Sequence, residues 1–285
     1  MDRRGFLGTM TAATLLSRRL AWAEDGQKIE RIGLQLYTVR DALKRDFDGT
    51  LAQVAAVGYR EVEFAGYFDH AAKNVRAALA RHGLTSPSAH FDYKYLGDKW
   101  PKVIADAQII GHEYLVCSSV DENLRNQPDG WKRIAETFNR TGEVTRKAGI
   151  QFAYHNHIFE FLPVNGKLPY EILLEQTDPN LVKMQMDLCW AVVGAQDPVS
   201  WFRRYPGRFP LVHVKDMKKI PPPTSSDKDA ERYMTEVGSG VIDWERIFTQ
   251  SDEAGIKHYF VEHDEPKAPF ESIKTSYQYL AQLRF

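Results

Sequence analysis

Phe209-Pro210-Leu211-Val212-His213-Val214-Lys215 is an apolar run of strand length that carries two polar side chains, His213 and Lys215, toward its end. Enrichment in Val, Ile, Tyr and Phe favours a strand for such a run. The pattern recurs on either side. Upstream, Val182–Asp187 ends in an aspartate and Ile150–His155 runs into His155-Asn156-His157; downstream, His258–Glu262 delivers a glutamate. Further back lie Arg31–Tyr37, Tyr59–Phe64, Leu84–His90 and Glu113–Ser118. Segments of helical period separate these runs: Phe47–Val57, Ala71–Arg81, Trp100–Ile110, Trp131–Ala148, Pro169–Gln176, Val199–Tyr205 and Trp244–Ala254, with Phe270–Leu283 closing the chain. Gly58, Gly83, Gly111, Gly149 and Gly255 stand where helices stop before the next strand. Eight strands, each followed by a helix, predict a parallel sheet closed on itself, a (β/α)8 TIM barrel. A doubly wound open sheet would carry a glycine-rich phosphate loop after its first strand, and Thr38-Val39-Arg40-Asp41 contains no glycine.

No linker divides the chain from residue 24 to 285, which reads as one domain. Residues 1–23 read as a twin-arginine signal peptide: Arg3-Arg4-Gly5-Phe6-Leu7, a weakly apolar stretch to Leu16, then Ala21-Trp22-Ala23 as a cleavage site. The expected location is therefore the periplasm, and the apolar stretch is too short to act as a membrane anchor. The formal net charge of -1 argues against a nucleic-acid partner, which calls for a basic surplus. Cys117 and Cys189 end apolar runs and read as buried free thiols. The longest irregular piece, Met217–Gly240, follows the seventh strand and reads as an active-site loop or lid.

Polar residues at the C-terminal ends of barrel strands converge on one mouth. Here those ends supply Glu63, His90, His155, His157, Asp187, His213, Lys215 and Glu262, with Glu160 just beyond the fifth strand. Each alone has a plain structural reading as a solvated or packed side chain. Asp187, His213 and Glu262, however, end three consecutive strands, and a cation is their natural common partner. Mixed carboxylates and imidazoles suit Mn, Zn, Co or Fe better than Ca or Mg.

Several ordered motifs resemble the xylose-isomerase-like TIM-barrel superfamily, in its sugar phosphate isomerase/epimerase branch. They are Ile32-Gly33-Leu34-Gln35-Leu36-Tyr37-Thr38-Val39-Arg40, Gly58-Tyr59-Arg60-Glu61-Val62-Glu63, Tyr154-His155-Asn156-His157-Ile158-Phe159-Glu160-Phe161 and Met186-Asp187-Leu188-Cys189-Trp190. His213-Val214-Lys215-Asp216-Met217, Glu236-Val237-Gly238-Ser239-Gly240 and Val261-Glu262-His263 complete the series. The resemblance covers essentially the whole chain after the signal segment. It implies one divalent metal held by Glu, Asp, His and Glu from the fifth to eighth strands. Asp187, His213 and Glu262 match. His155 stands where the first glutamate is expected, so either His155 binds the metal or Glu160 folds back to do so. Glu160 is the preferred fourth ligand, because His155 in its place would remove one negative charge.

The implied reaction withdraws a proton beside a sugar carbonyl, with the metal as Lewis acid. His155, His157 and Glu236 are the candidate bases, and Lys215 the group that holds an oxyanion or leaving oxygen. Gln35, Glu63, His90 and Trp190 are the expected substrate contacts, with Phe68 and Phe91 as further wall residues. Isomerisation or epimerisation is the leading expectation. β-Elimination from a 3-keto-glycoside is the alternative, and a periplasmic sugar-binding protein without catalysis is the non-enzyme reading. A carbohydrate is the expected small-molecule partner; nothing in the sequence sets an oligomeric state.

Overall fold

The computed structural model describes residues 26–224 and 226–285; the signal segment read at residues 1–23 lies outside the described residues. Among the described residues, no helix is long and apolar enough to cross a membrane.

Eight parallel strands close into a barrel. They are β1 (Ile32–Gln35), β2 (Glu61–Ala65), β3 (Thr85–Phe91), β4 (Tyr114–Cys117), β5 (Gln151–His155), β6 (Val182–Asp187), β7 (Leu211–Val214) and β8 (His258–Val261). Closure comes from β1 pairing with β8, Ile32 opposite Tyr259. All eight runs read from the sequence are strands, shortened at most by two or three residues. Helices at Phe47–Val57, Trp100–Ile110 and Pro169–Gln176 have the expected bounds. The helix expected at Trp244–Ala254 is instead two short ones, Trp244–Phe248 and Ser251–Ala254. Cys117 and Cys189 are free and buried, as expected.

The barrel interior is layered. Tyr114, Val116, Ala153, Leu211 and Phe260 form an apolar cluster of their own inside the sheet. Phe260 packs edge-on against His213, ring centroids 6.2 Å apart. Gly33 makes room for Phe260: a Cβ there would stand 2.5 Å from the Phe260 ring. The apolar layer therefore borders the polar one and excludes water beside it.

The excursion after β7 is ordered rather than a bare loop. Asp216–Met217 pairs antiparallel with Met234–Thr235, and a short helix spans Asp227–Glu231. Buried Asp216 is the reason. Its carboxylate accepts from the backbone N–H groups of Met217, Gly238, Gly240 and Ile242 and from the Trp244 indole. Gly240 has to lack a side chain, since a Cβ would lie 2.1 Å from Asp216 Oδ1. The outer part of the excursion is tied down by Asp227, whose Oδ1 accepts from Ile158 N at 3.2 Å.

Candidate active site

Strand pairing brings the polar ends together. Asp187 on β6 is in direct register with His213 on β7, and His213 with Phe260 on β8, so Glu262 follows within reach. One ligand atom each of Asp187, His213 and Glu262 lies within 4.8 Å of the others. The same holds for His90, His155 and His213, so two such groups share His213.

The electrostatics are those of a site that concentrates cationic charge. His213 Nδ1 is 2.7 Å from Glu262 Oε2 and its Nε2 is 2.6 Å from Glu63 Oε2. Burial opposes the charged imidazole, but these two carboxylates outweigh it and raise His213 to about 10. The Lys215 ammonium lies 2.9 Å from Glu262, 2.9 Å from Asp264 and 3.2 Å from Asp187, and 5.2 Å from the Trp190 ring centroid. Burial would likewise neutralise Lys215, yet its carboxylate neighbours hold it well above the usual amine range. Burial pushes Glu262 upward, but Lys215 and His213 draw it well below the usual carboxylate range. Asp264 responds the other way: burial lifts it to about 7 against the pull of Lys215. Beside them, burial drives His155 well below the imidazole range, and burial with the charge of Lys215 takes His157 down to about 3. Both are neutral bases.

The residues fit a divalent metal. Asp187 uses Oδ1 to cap the helix Leu188–Val193 through Trp190 N at 2.9 Å, while buried Oδ2 has no aligned hydrogen-bond donor. His155 Nε2 is 3.9 Å from that oxygen. Asp187, His213 and Glu262, with His155 from β5, would hold the ion. Carboxylate and imidazole donors of this mixture match Mn, Zn, Co or Fe.

Four expectations are corrected. Glu160 is not beside the metal ligands. It is fully buried behind β5, bonded to the Tyr154 hydroxyl and to His157 N at 2.8 Å. Side chains alternate along a strand, so Tyr154 and His155 face opposite sides, and Glu160 lies on the Tyr154 side. Burial lifts its carboxyl to about 8, which offsets any gain expected from a second ligand charge. Glu63 does not line the cleft either. Gln35, Ser88, Gln185 and His213 all bond to its carboxylate, leaving no free edge for substrate. It orients His213. Glu236 sits on the excursion next to Thr235 and His263, outside the cleft lining. Phe68 likewise packs against Phe47 rather than lining the cleft.

Gln35, His90, His155, His157, Trp190, Lys215 and Glu262 all line one cleft of about 850 Å³. Four contributors were given no role from the sequence. Asp264 sits two residues past Glu262 and salt-bridges Lys215. Asp227 and Glu231 reach the cleft from the excursion. Gln185, on β6, lies between His90 and His155: its Oε1 is 2.5 Å from His90 Nε2 and 3.1 Å from His155 Nδ1, and its Nε2 donates to Glu63. Its inward alternation with Asp187 on the same strand was the available signal.

A family model described as xylose isomerase-like TIM barrel matches residues 51–283. An inosose dehydratase of Lacticaseibacillus casei is 26% identical over 270 residues, covering 82% of this chain and 88% of the relative. A crystal structure of a sugar phosphate isomerase/epimerase from Parabacteroides distasonis superposes with a TM-score of 0.75 at 30% identity, over 88% of this chain and 94% of that one. The IOLI protein with a bound zinc atom shares the fold at a TM-score of 0.69 and 16% identity, over 90% of this chain and 99% of that one. The eight-stranded closed barrel is the fold that this family model names, and the chain belongs to the xylose isomerase-like TIM barrel family.

Proposed function

We propose that this sugar-directed enzyme is a metal-assisted lyase, removing a proton beside the carbonyl of a keto-sugar or keto-polyol and expelling the oxygen on the next carbon. One observation carries the reading: neutral imidazoles and the proton-bearing Lys215 line the same cleft. His157 Nδ1 is buried with no hydrogen-bond partner. It is placed to take the proton from carbon. The electron pair of that C–H bond forms the new double bond, and the β C–O bond breaks. Lys215, backed by Asp264, gives the departing oxygen its proton, so the balance is loss of an alcohol or of water. Asp187, His213, Glu262 and His155 would hold a divalent ion, which when bound would supply Lewis acidity toward the carbonyl oxygen. Trp190 beside Lys215 offers an apolar face to the sugar ring. The inosose dehydratases similar to this chain are named for loss of water from a keto-inositol.

Isomerisation or epimerisation is the second reading, favoured by the likeness to the Parabacteroides distasonis sugar phosphate isomerase/epimerase. The two part company after proton removal. Incubating metal-loaded protein with keto-sugars and 3-keto-glycosides in deuterated water tests both: the lyase releases water or aglycone and gives an unsaturated ketone. Deuterium incorporation with interconversion and no loss of mass would refute elimination. We further propose that residues 1–23 direct export by the twin-arginine route; Arg3→Lys with Arg4→Lys should keep the protein in the cytoplasm on fractionation.

A further inference from the structure

The cleft is far larger than the chemistry just described requires. Its volume of about 850 Å³ lies toward the top of the roughly 300–1,000 Å³ that holds drug-sized ligands, several times what one sugar ring fills. It continues from Trp190 and Lys215, over the rim of the barrel, to Tyr67, Phe91, Tyr95 and Lys99. His90 and Phe91 are adjacent on β3 and therefore face opposite sides: His90 meets Gln185 inside the barrel, while Phe91 packs against Tyr67 and Tyr95. Centroids run Tyr67 to Phe91 to Tyr95 at 5.9 Å each, making a continuous aromatic wall.

Two features leave this wall, which packs on the core behind it, open to a ligand on its cleft side. Tyr67, Phe91 and Tyr95 all remain partly exposed. The Tyr67 hydroxyl is committed elsewhere, 3.0 Å from His112 Nε2, which leaves the ring carbons facing the cleft. The loop that carries Tyr67 is held in strained backbone, with Phe68 at φ 51° and Asp69 at φ 63°. Such strain persists only where surrounding structure enforces it.

We infer that this arm is a subsite for a second ring joined to the reacting sugar, seated with its apolar face on Tyr67, Phe91 and Tyr95. The inference rests on the lyase reading and makes the expelled oxygen a glycosidic one, so that the departing molecule is a ring alcohol rather than water. A second pyranose and an aryl group share the required chemistry, an apolar ring face.

Calorimetric titration of the metal-loaded full chain with four unreactive probes tests this: glucose, methyl β-glucoside, phenyl β-glucoside and cellobiose. A ring–aromatic contact beyond area burial is worth about three- to tenfold in affinity. Phenyl glucoside or cellobiose should bind tighter than the two one-ring sugars by at least that factor, and whichever gains identifies the source of the ring. Tyr95→Ala should remove most of the gain and leave one-ring binding unchanged. Equal binding of all four probes overturns the second-ring subsite alone, because keto-sugar turnover is measured separately. Failure of all four to bind overturns it too, and if keto-sugars are also left unchanged the lyase reading falls with it. The wild-type comparison stands even if the variant folds poorly.

Discussion

Replacing Glu160 by glutamine should make the protein more stable, and increasingly so as pH rises. Glu160 is fully buried, and burial lifts its carboxyl from about 4.5 to about 8 against the bonds from Tyr154 and His157. The folded protein therefore binds more protons than the unfolded chain between those values. Stability contributed by this group is complete below pH 4.5 and is lost as pH rises through 8. Integrating between pH 5 and pH 8 gives a loss of roughly 3.5 kcal/mol from this one side chain. Glutamine mimics the neutral acid: its oxygen accepts from His157 N while its amide donates to the Tyr154 oxygen. Urea midpoints of wild type and Glu160→Gln, measured at both pH values, should diverge by that order. Parallel curves would refute the protonated state, and so the argument that Glu160 is unsuited to bind a metal. Metal content measured alongside should not change.

Asp187→Asn retains an oxygen for the cap on Trp190 N but loses the charge at Oδ2; metal retained after dialysis should fall at least tenfold with the circular dichroism unchanged. Lys215→Met leaves Asp187, Glu262 and Asp264 without their buried cation. The metal-free variant should lose about 3–5 kcal/mol, partly restored by excess divalent ion. Melting with chelator and with metal would show it, and an equal effect in both would contradict the shared charge. Asp216→Ala strands several buried N–H groups and should cost at least ~3 kcal/mol, visible as a lowered thermal midpoint.

The barrel was legible because helical periods separate the strand runs and five of the runs follow a glycine stop, signals that local chemistry writes directly. Asp187, His213 and Glu262 were legible for the same reason: strand ends in a closed parallel sheet have one place to go. Glu160 was not, because four residues separate it from β5, and the side to which a short turn throws its side chain depends on tertiary partners such as Tyr154. Glu63 was placed on the correct mouth with the wrong function, since its partners Gln35, Ser88 and Gln185 come from three other strands. Of the aromatic arm only Phe91 was noticed, because Tyr67 lies in a loop and Tyr95 in a single 3-10 turn, where no periodicity assigns a face.

Gln185 has a consequence for proton placement. Its carbonyl oxygen stands before both His90 Nε2 and His155 Nδ1, and its amide nitrogen is spent on Glu63. An acceptor facing two imidazoles obliges each to turn an N–H toward it. His155 must then carry hydrogen on Nδ1 and offer a bare lone pair from Nε2, the atom nearest Asp187. A single uncharged amide thus selects the tautomer of a ring it never ionises. Exchanging its oxygen and nitrogen would turn that lone pair away from the carboxylate without moving any backbone atom.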